Sequence, residues 1–395
     1  MLSLFQKMEI KTAIKLLAIY ILRFVTTIAA LLLPLEPRSA LFIAYLGKQY
    51  SCNPKAIFEC LCAKLDKPLN YYWAFEQPDH YRFLEEKGVC LVRYRSLRYY
   101  RLLMTTAVII TNCDLPSWVS HKMRQRIIHT WHGGGAYKKV SLDYNSPKQK
   151  AIDVMSIAHV TDYISSSAMF TQKVIRGAFG YQGRVIECGM PRNDVFFDAS
   201  AHPPVIQKIR EYFGLASSQR MALFAPTFRA YDFAPVLDEK KLSECLGVRF
   251  GGDWVVLTRG HLPHKKGEQP TGITRLADAY DDMQELLVAA DVLITDYSST
   301  MWDFALSGKP GFLYVPDIDK YIADRGFYLA PEHWPFSLAK NQPQLWDNIL
   351  NFNEAPSVQK AQEHLTRLGS FEKGCASEYI VNVIIKNIST VPREE

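Results

Sequence analysis

The chain has no C-x-x-C pair among its eight cysteines, no P-loop, no complete G-x-G-x-x-G, no H-E-x-x-H and no G-x-S-x-G. These absences argue against a zinc cluster, a Walker-type nucleotidase, a zincin protease and an α/β-hydrolase. Scattered thiols in apolar runs behave as small hydrophobes and fit a reducing, cytosolic environment. An excess of either charge is nearly lacking too: 46 Lys and Arg face 40 Asp and Glu, a formal +6. That excess is compatible with anionic substrates or a lipid surface, and too small by itself to indicate nucleic acid. Only one long apolar run occurs, near the N-terminus, which excludes a polytopic membrane protein. What is present is 48% hydrophobic residues over 395 positions, enough for two domains that each bury a core.

The apolar run covers 13–37. Pro34, Leu35, Glu36 and Pro37 make a poor signal-peptide cleavage site. A spanning helix would bring Arg23 near the bilayer centre, where a charge is costly. Lys7, Lys11 and Lys15 recur every four residues, and Arg23, Thr26 and Thr27 fall on roughly the same half of a helix. The pattern predicts an amphipathic helix at a membrane surface, its basic residues toward lipid phosphates. Spanning, and docking onto the protein itself, are the competing readings. At 93–103, Arg93, Arg95, Arg98 and Arg101 alternate with Tyr94, Tyr99 and Tyr100, as a contact for headgroups or a polyanionic acceptor, or as a solvated helix face.

Elsewhere a short apolar run recurs, followed at once by a polar turn. AVIIT (107–111), RIIHT (126–130), DYIS (162–165), RVIE (184–187), MALFA (221–225), WVVLT (254–258) and DVLIT (291–295) all read as buried parallel strands in βα units. The break between halves falls near 196–220, where turn-rich stretches flank a short helical pattern. The predicted organisation is a membrane-associating helix at 1–35, one α/β domain at 36–205, a second at 206–375 and a tail at 376–395. In open α/β sheets ligands lie beyond the carboxyl ends of the strands, where every polar turn above is found.

Four turns carry chemistry. In HTWHGGGAYKK, His132 follows a strand and precedes three glycines, a place for a general base, with Gly133 and Lys138 beside it for an anion. His129, inside the strand, reads as a core histidine. In DYSST, Ser298, Ser299 and Thr300 open a helix; one hydroxyl suffices as a cap, leaving others for phosphate oxygens. Asp296 either orients that loop or takes a ribose hydroxyl. In PTFR and RGH, Thr227, Arg229, Arg259 and His261 stand just past strand ends, where they would neutralise a diphosphate, and His261 would pair with the leaving phosphate. The lone D-x-D of Asp317 and Asp319, and the pair Asp281–Asp282, are better placed as caps than as metal ligands. The residues fit charge stabilisation without metal or cofactor.

Taken in order, these motifs resemble the CDP-glycerol glycerophosphotransferases, which include teichoic acid primases and polymerases. SLRYYRLLMTTAVIITN, TWHGGGAYKK, AFGYQGRVIECGMPRND with Arg192, FAPTFR, RGH, ADVLITDYSSTMWDFA and DRGFY all match, spanning most of 90–330. The resemblance implies two Rossmann-like domains of the GT-B kind, an acceptor domain and a nucleotide domain. It also implies an enzyme peripheral to the cytoplasmic face of the membrane, a CDP-glycerol or other CDP-polyol donor, and a lipid-linked glycan or polyol-phosphate acceptor. By the same match His132 is the base, His261 a second catalytic residue, and Ser298 and Ser299 bind substrate. Gly134, Gly135, Ala136 and Tyr137 replace the family's shorter Thr-Pro-x segment, which leaves acceptor and polyol open. A GT-B glycosyltransferase using a nucleotide sugar and a non-catalytic polyanion-binding protein are the alternatives.

Overall fold

The computed structural model describes residues 10–389, apart from 66, 68, 145–146, 228, 230, 232 and 261–271. Two wholly parallel sheets form its frame. The first holds β1 (Glu36–Ile43), β2 (Asn70–Phe75), β3 (Val89–Arg93), β4 (Thr106–Thr111), β5 (Arg126–His129), β6 (Asp162–Ser165) and β7 (Arg184–Glu187), in the order β3-β2-β1-β4-β5-β6-β7. The second holds β8 (Gln219–Ala225), β9 (Asp253–Thr258), β10 (Thr274–Leu276), β11 (Val292–Thr295), β12 (Gly311–Tyr314) and β13 (Ser337–Ala339), in the order β10-β9-β8-β11-β12-β13. Helices cover both faces, so central strands such as β4 and β11 are buried along their whole length. That is why each reads as an unbroken apolar run. The expected two-sheet α/β architecture is present.

In each sheet the strand order reverses once, at β1/β4 and at β8/β11. A crevice opens beyond the strand ends at such a reversal. The turns after β1, β4 and β5 therefore face those after β8, β9 and β11 across one cleft. Ion pairs tie the two sides: Arg192 meets Asp303 at 3.0 Å, and Lys55 meets Asp282 at 2.6 Å and Glu285 at 2.7 Å. The segment from 376, set apart in the sequence as a tail, begins as a helix, Ala376–Ser389. Its Ile380, Val381 and Ile384 are buried in the core of the first sheet, so this helix packs back on the first unit.

The N-terminal helix, Ile10–Leu32, reverses the orientation expected for its polar residues. Its polar edge lies on the protein: Thr26 donates to the Trp118 carbonyl at 2.8 Å, Thr27 and Ser120 share a hydrogen bond of 2.6 Å, and Arg23 donates to His159 Nε2 at 2.6 Å. Arg23 is thus directed at a neutral imidazole and not at lipid. Ile14, Leu17, Ile21, Phe24, Val25, Ile28, Leu31 and Leu32 form an exposed apolar stripe. No helix among the described residues is long and apolar enough to cross a membrane. Beside it, the helix Leu97–Thr105 exposes Leu97, Arg98 and Arg101, whereas Tyr94 and Tyr99 are core residues, so of that alternating stretch mainly the arginines face outward.

Candidate active site

His132 is set by the strand before it and by a carbonyl from the neighbouring strand's turn. Its Nδ1 lies 2.9 Å from the main-chain oxygen of Asn112. A carbonyl only accepts, so Nδ1 carries the proton and Nε2 keeps its lone pair. Trp131 adopts a left-handed φ of 54° and stacks on the imidazole with ring centroids 4.3 Å apart. Burial, and then the charges of Arg192 and Lys138 with His129, push His132 down to about 4, against the Asn112 bond. It is neutral at pH 7, as a base must be. Asn112 also holds the turn after β1, its Oδ1 accepting from the Tyr45 amide at 2.8 Å.

Two cavities meet at this histidine. The larger, about 420 Å3, is lined from the first unit by Tyr45, His132, Lys138 and Arg192, and from the second by Thr227, Arg259, Ser298, Ser299 and Thr300. The smaller, about 220 Å3, is lined by residues 131–138, Val140, Phe170, Val174, Ser299 and Arg325. His132, Lys138 and Ser299 border both. Lys138 has no ion-pair partner among the described residues, and burial together with the charges of Arg325 and Arg229 pulls it down to about 8. One nitrogen of Arg259 donates to the Asp281 carbonyl at 3.1 Å while Nη1 is buried without a partner. Such an unpaired donor facing a cavity suits an anion.

The hydroxyls divide as capping predicts. Ser298 Oγ accepts from the Thr300 amide at 3.3 Å, Thr300 pairs with Thr295 at 3.4 Å, and Ser299 makes no capping bond. Ser299 is the free one. Gly133 lets it approach, since a Cβ there would meet Ser299 Oγ at 3.3 Å. The next two glycines make room for side chains. A Cβ on Gly134 would lie 2.1 Å from Trp302 Cδ1, and Gly135, at φ 64°, is closed over by the Tyr137 ring. They admit aromatic rings to the domain junction.

Arg229, expected to neutralise the diphosphate, is engaged elsewhere, and Arg192, which the resemblance makes substrate-binding, is engaged in part. Arg229 is buried between Asp296, at 2.8 Å, and Asp317, at 2.7 Å, and does not line the larger cavity. Asp296 accepts from the Thr227 amide and hydroxyl, at 2.9 and 2.7 Å. Of its two expected uses, the loop-orienting one accounts for these contacts. Arg192 lines the larger cavity but already pairs with Asp303, its Nε buried without a partner. His261 lies outside the described residues. Sequence reasoning gave no role to Asn112, Tyr45 or Glu372. Glu372 takes donors from Trp302, Asn193 and Met190 at 3.0 Å each, and burial pushes it up to about 7.

A neutral histidine with a fixed tautomer beside unpaired cations is equipped to accept a proton next to a polyphosphate. The family profile described as CDP-Glycerol:Poly(glycerophosphate) glycerophosphotransferase matches residues 25–386. The chain belongs to that family. It is 29% identical over 374 residues to a teichoic acid poly(glycerol phosphate) polymerase of Bacillus spizizenii, covering 90% of this chain and 93% of that protein. A teichoic acid poly(glycerol phosphate) polymerase of Staphylococcus epidermidis is 30% identical over 378 residues, covering 89% of this chain and 51% of that longer protein. Among solved structures, the wall teichoic acid polymerase TagF, soaked with CDPG, superposes with a TM-score of 0.81 at 26% identity, covering 97% of this chain and 99% of that one.

Proposed function

We propose that this glycerophosphotransferase moves a polyol phosphate from CDP-glycerol, or a related CDP-polyol, to a hydroxyl of a lipid-linked or polymeric glycan or polyol-phosphate acceptor. The acceptor oxygen bonds to the β-phosphorus, the bond from that phosphorus to the bridging oxygen breaks, and CMP leaves. The acceptor proton goes to His132 Nε2. The observation that carries this reading is the open Nε2 of a neutral His132, at the junction of two cavities that share it. A bound diphosphate offsets the positive field of Arg192 and Lys138 and so makes His132 a stronger base when the donor is in place.

Arg259, Lys138, Ser299 and Thr227 bind the diphosphate and offset charge that develops on the leaving group. Ser298, Thr300, Asp296, Arg229 and Arg192 hold those groups in place. His261, two residues beyond Arg259, pairs with the departing phosphate; this assignment rests on its sequence position. The unit at 36–205 supplies the base and takes the acceptor, and the unit at 206–375 takes the nucleotide. The exposed apolar stripe of the helix Ile10–Leu32, with Arg98 and Arg101 beside it, supports a peripheral site on the cytoplasmic face of a membrane, within reach of a lipid-linked acceptor.

Incubation with CDP-glycerol or CDP-ribitol and a lipid-linked acceptor tests the reading. CMP release that depends on the acceptor is expected. Release of UDP or GDP from a nucleotide sugar instead would replace it with a glycosyltransferase.

A further inference from the structure

The loop that carries His132 leaves the first unit at β5 and ends against the second. Tyr137 is 3% exposed and belongs to the apolar core of the second sheet, whereas its neighbour Ala136 belongs to that of the first. A phenol drawn into a core needs a partner for its hydroxyl. Tyr137 has one in His364, on the helix Glu354–Arg367, with 2.7 Å between the hydroxyl and Nε2. The other ring nitrogen of His364 lies 2.8 Å from the His333 carbonyl oxygen, which only accepts. Nδ1 therefore carries the proton, and Nε2 accepts from Tyr137. Burial holds His364 at about 4, so it is a neutral acceptor at pH 7. The main chain is tied in the same direction. The Tyr328 amide donates to the Tyr137 carbonyl at 2.7 Å, the Lys139 amide donates to the Gly326 carbonyl at 3.2 Å, and Lys138 bridges antiparallel to Phe327. His132 and Lys138, which border both cavities, thus lie between a strand of the first unit and this junction with the second. Tyr137 falls in the segment that replaces the family's Thr-Pro-x, so the match assigns it no role.

We propose that Tyr137, through its hydroxyl on His364, is a positioning residue for the transfer: it pins the 132–138 loop to the second unit and so fixes His132 Nε2 and Lys138 against a donor held on that side. The inference rests on the transferase reading above and deepens it, adding a pair that acts through His132 and Lys138. Reaction requires the reacting atoms about 3–3.5 Å apart. Thr227, Arg259 and Ser299 are on the second unit and the base is on the first, so that distance is set by the junction. A hydrogen bond buried in the junction, with each partner's geometry fixed by further contacts, holds the distance once the two units are together.

Tyr137→Phe removes one oxygen and keeps the ring packed beneath Gly135. With saturating CDP-glycerol and a lipid-tailed glycerol phosphate, its kcat for CMP release is expected to fall about ten-fold or more, with the Kd of CDP-glycerol within about two-fold. His364→Leu, which lacks the acceptor, should do the same, and the double variant should be no slower than either alone. His364→Gln, whose amide oxygen can take the hydroxyl, should recover most of the loss. If His364→Leu does not fold, the comparison of Tyr137→Phe with His364→Gln decides alone. A packing role would lower the unfolding temperature of Tyr137→Phe and leave its kcat unchanged well below that temperature. That result, losses that add in the double variant, a His364→Gln variant as slow as Tyr137→Phe, or donor binding weakened in step with kcat would each overturn the proposal. Absence of CMP release by the unaltered protein would instead remove the transferase reading.

Discussion

The Nδ1 of His132 lies 2.9 Å from the main-chain oxygen of Asn112, so the tautomer of the proposed base is set by backbone. Side-chain replacement at 112 leaves that bond in place. What it removes is the Oδ1 contact to the Tyr45 amide, inside a turn where Tyr45 and Leu46 both have positive φ. Asn112→Ala is expected to cost about 1–3 kcal/mol of stability through that orphaned amide, and to reduce activity only as the Tyr45 turn relaxes. Thermal unfolding beside the tautomer, read from imidazole nitrogen shifts, checks this; a changed tautomer would contradict it.

The pH profile follows from two groups shifted in the same direction. Burial and nearby cations hold His132 at about 4 and Lys138 at about 8. For the free enzyme, kcat/KM should fall below about pH 4 as His132 protonates and fall again above about pH 8 as Lys138 loses its charge. Lys138→Arg should move the basic limb upward. A basic limb unchanged in that variant would assign it to another group.

The glycines after His132 should separate stability from activity. Gly134→Ala drives a Cβ into the Trp302 ring and is expected to cost about 1–3 kcal/mol from overpacking. Gly133→Ala meets Ser299 Oγ and Trp131 Nε1, each at 3.3 Å, contacts that a shift of a few tenths of an ångström relieves, so stability should change less than for Gly134→Ala while activity falls. Unfolding and CMP-release measurements on both variants check the contrast. Equal stability loss would contradict it.

The N-terminal helix should detach in acid. His159, which accepts from Arg23, is held at about 4 by burial and the Arg23 charge; His121, 5.0 Å away, is held at about 3, mainly by burial. Both fold with depressed values, so their contribution is complete above about pH 6.5 and is lost as pH falls through about 4 and then 3. Hydrogen exchange of amides at 23–33 should accelerate, relative to β8, over that window. Protection that persists below pH 3 would show that the helix is held by other contacts.

Seven strands were legible, the central ones because a parallel strand covered on both faces must be apolar throughout, as AVIIT and DVLIT are, whereas the edge strand RVIE buries only Ile186. β1 escaped notice because EPRSALFI begins polar, and β2 because NYYWAF mixes tyrosines into its run. The site's location followed from where the polar turns fall, and the larger cavity does gather His132, Lys138, Arg259 and Ser298–Thr300. The use of individual charges did not follow. Asp317, which takes up Arg229, is 88 residues away in the chain, and Trp302, which requires Gly134, is on the other domain. Helical periodicity separated a polar edge from an apolar stripe in residues 10–32, but the Trp118–Ser120 segment that claims the polar edge lies about 90 residues on.

The central claim is that His132 removes the acceptor proton. The most direct measurement is CMP release from CDP-glycerol by His132→Gln in the presence of acceptor, with donor Kd measured by calorimetry on the same sample. A fall of about 100-fold or more in rate, with Kd within about two-fold, is the expected result. Turnover near that of the unaltered protein, or loss of donor binding in proportion to rate, would contradict it.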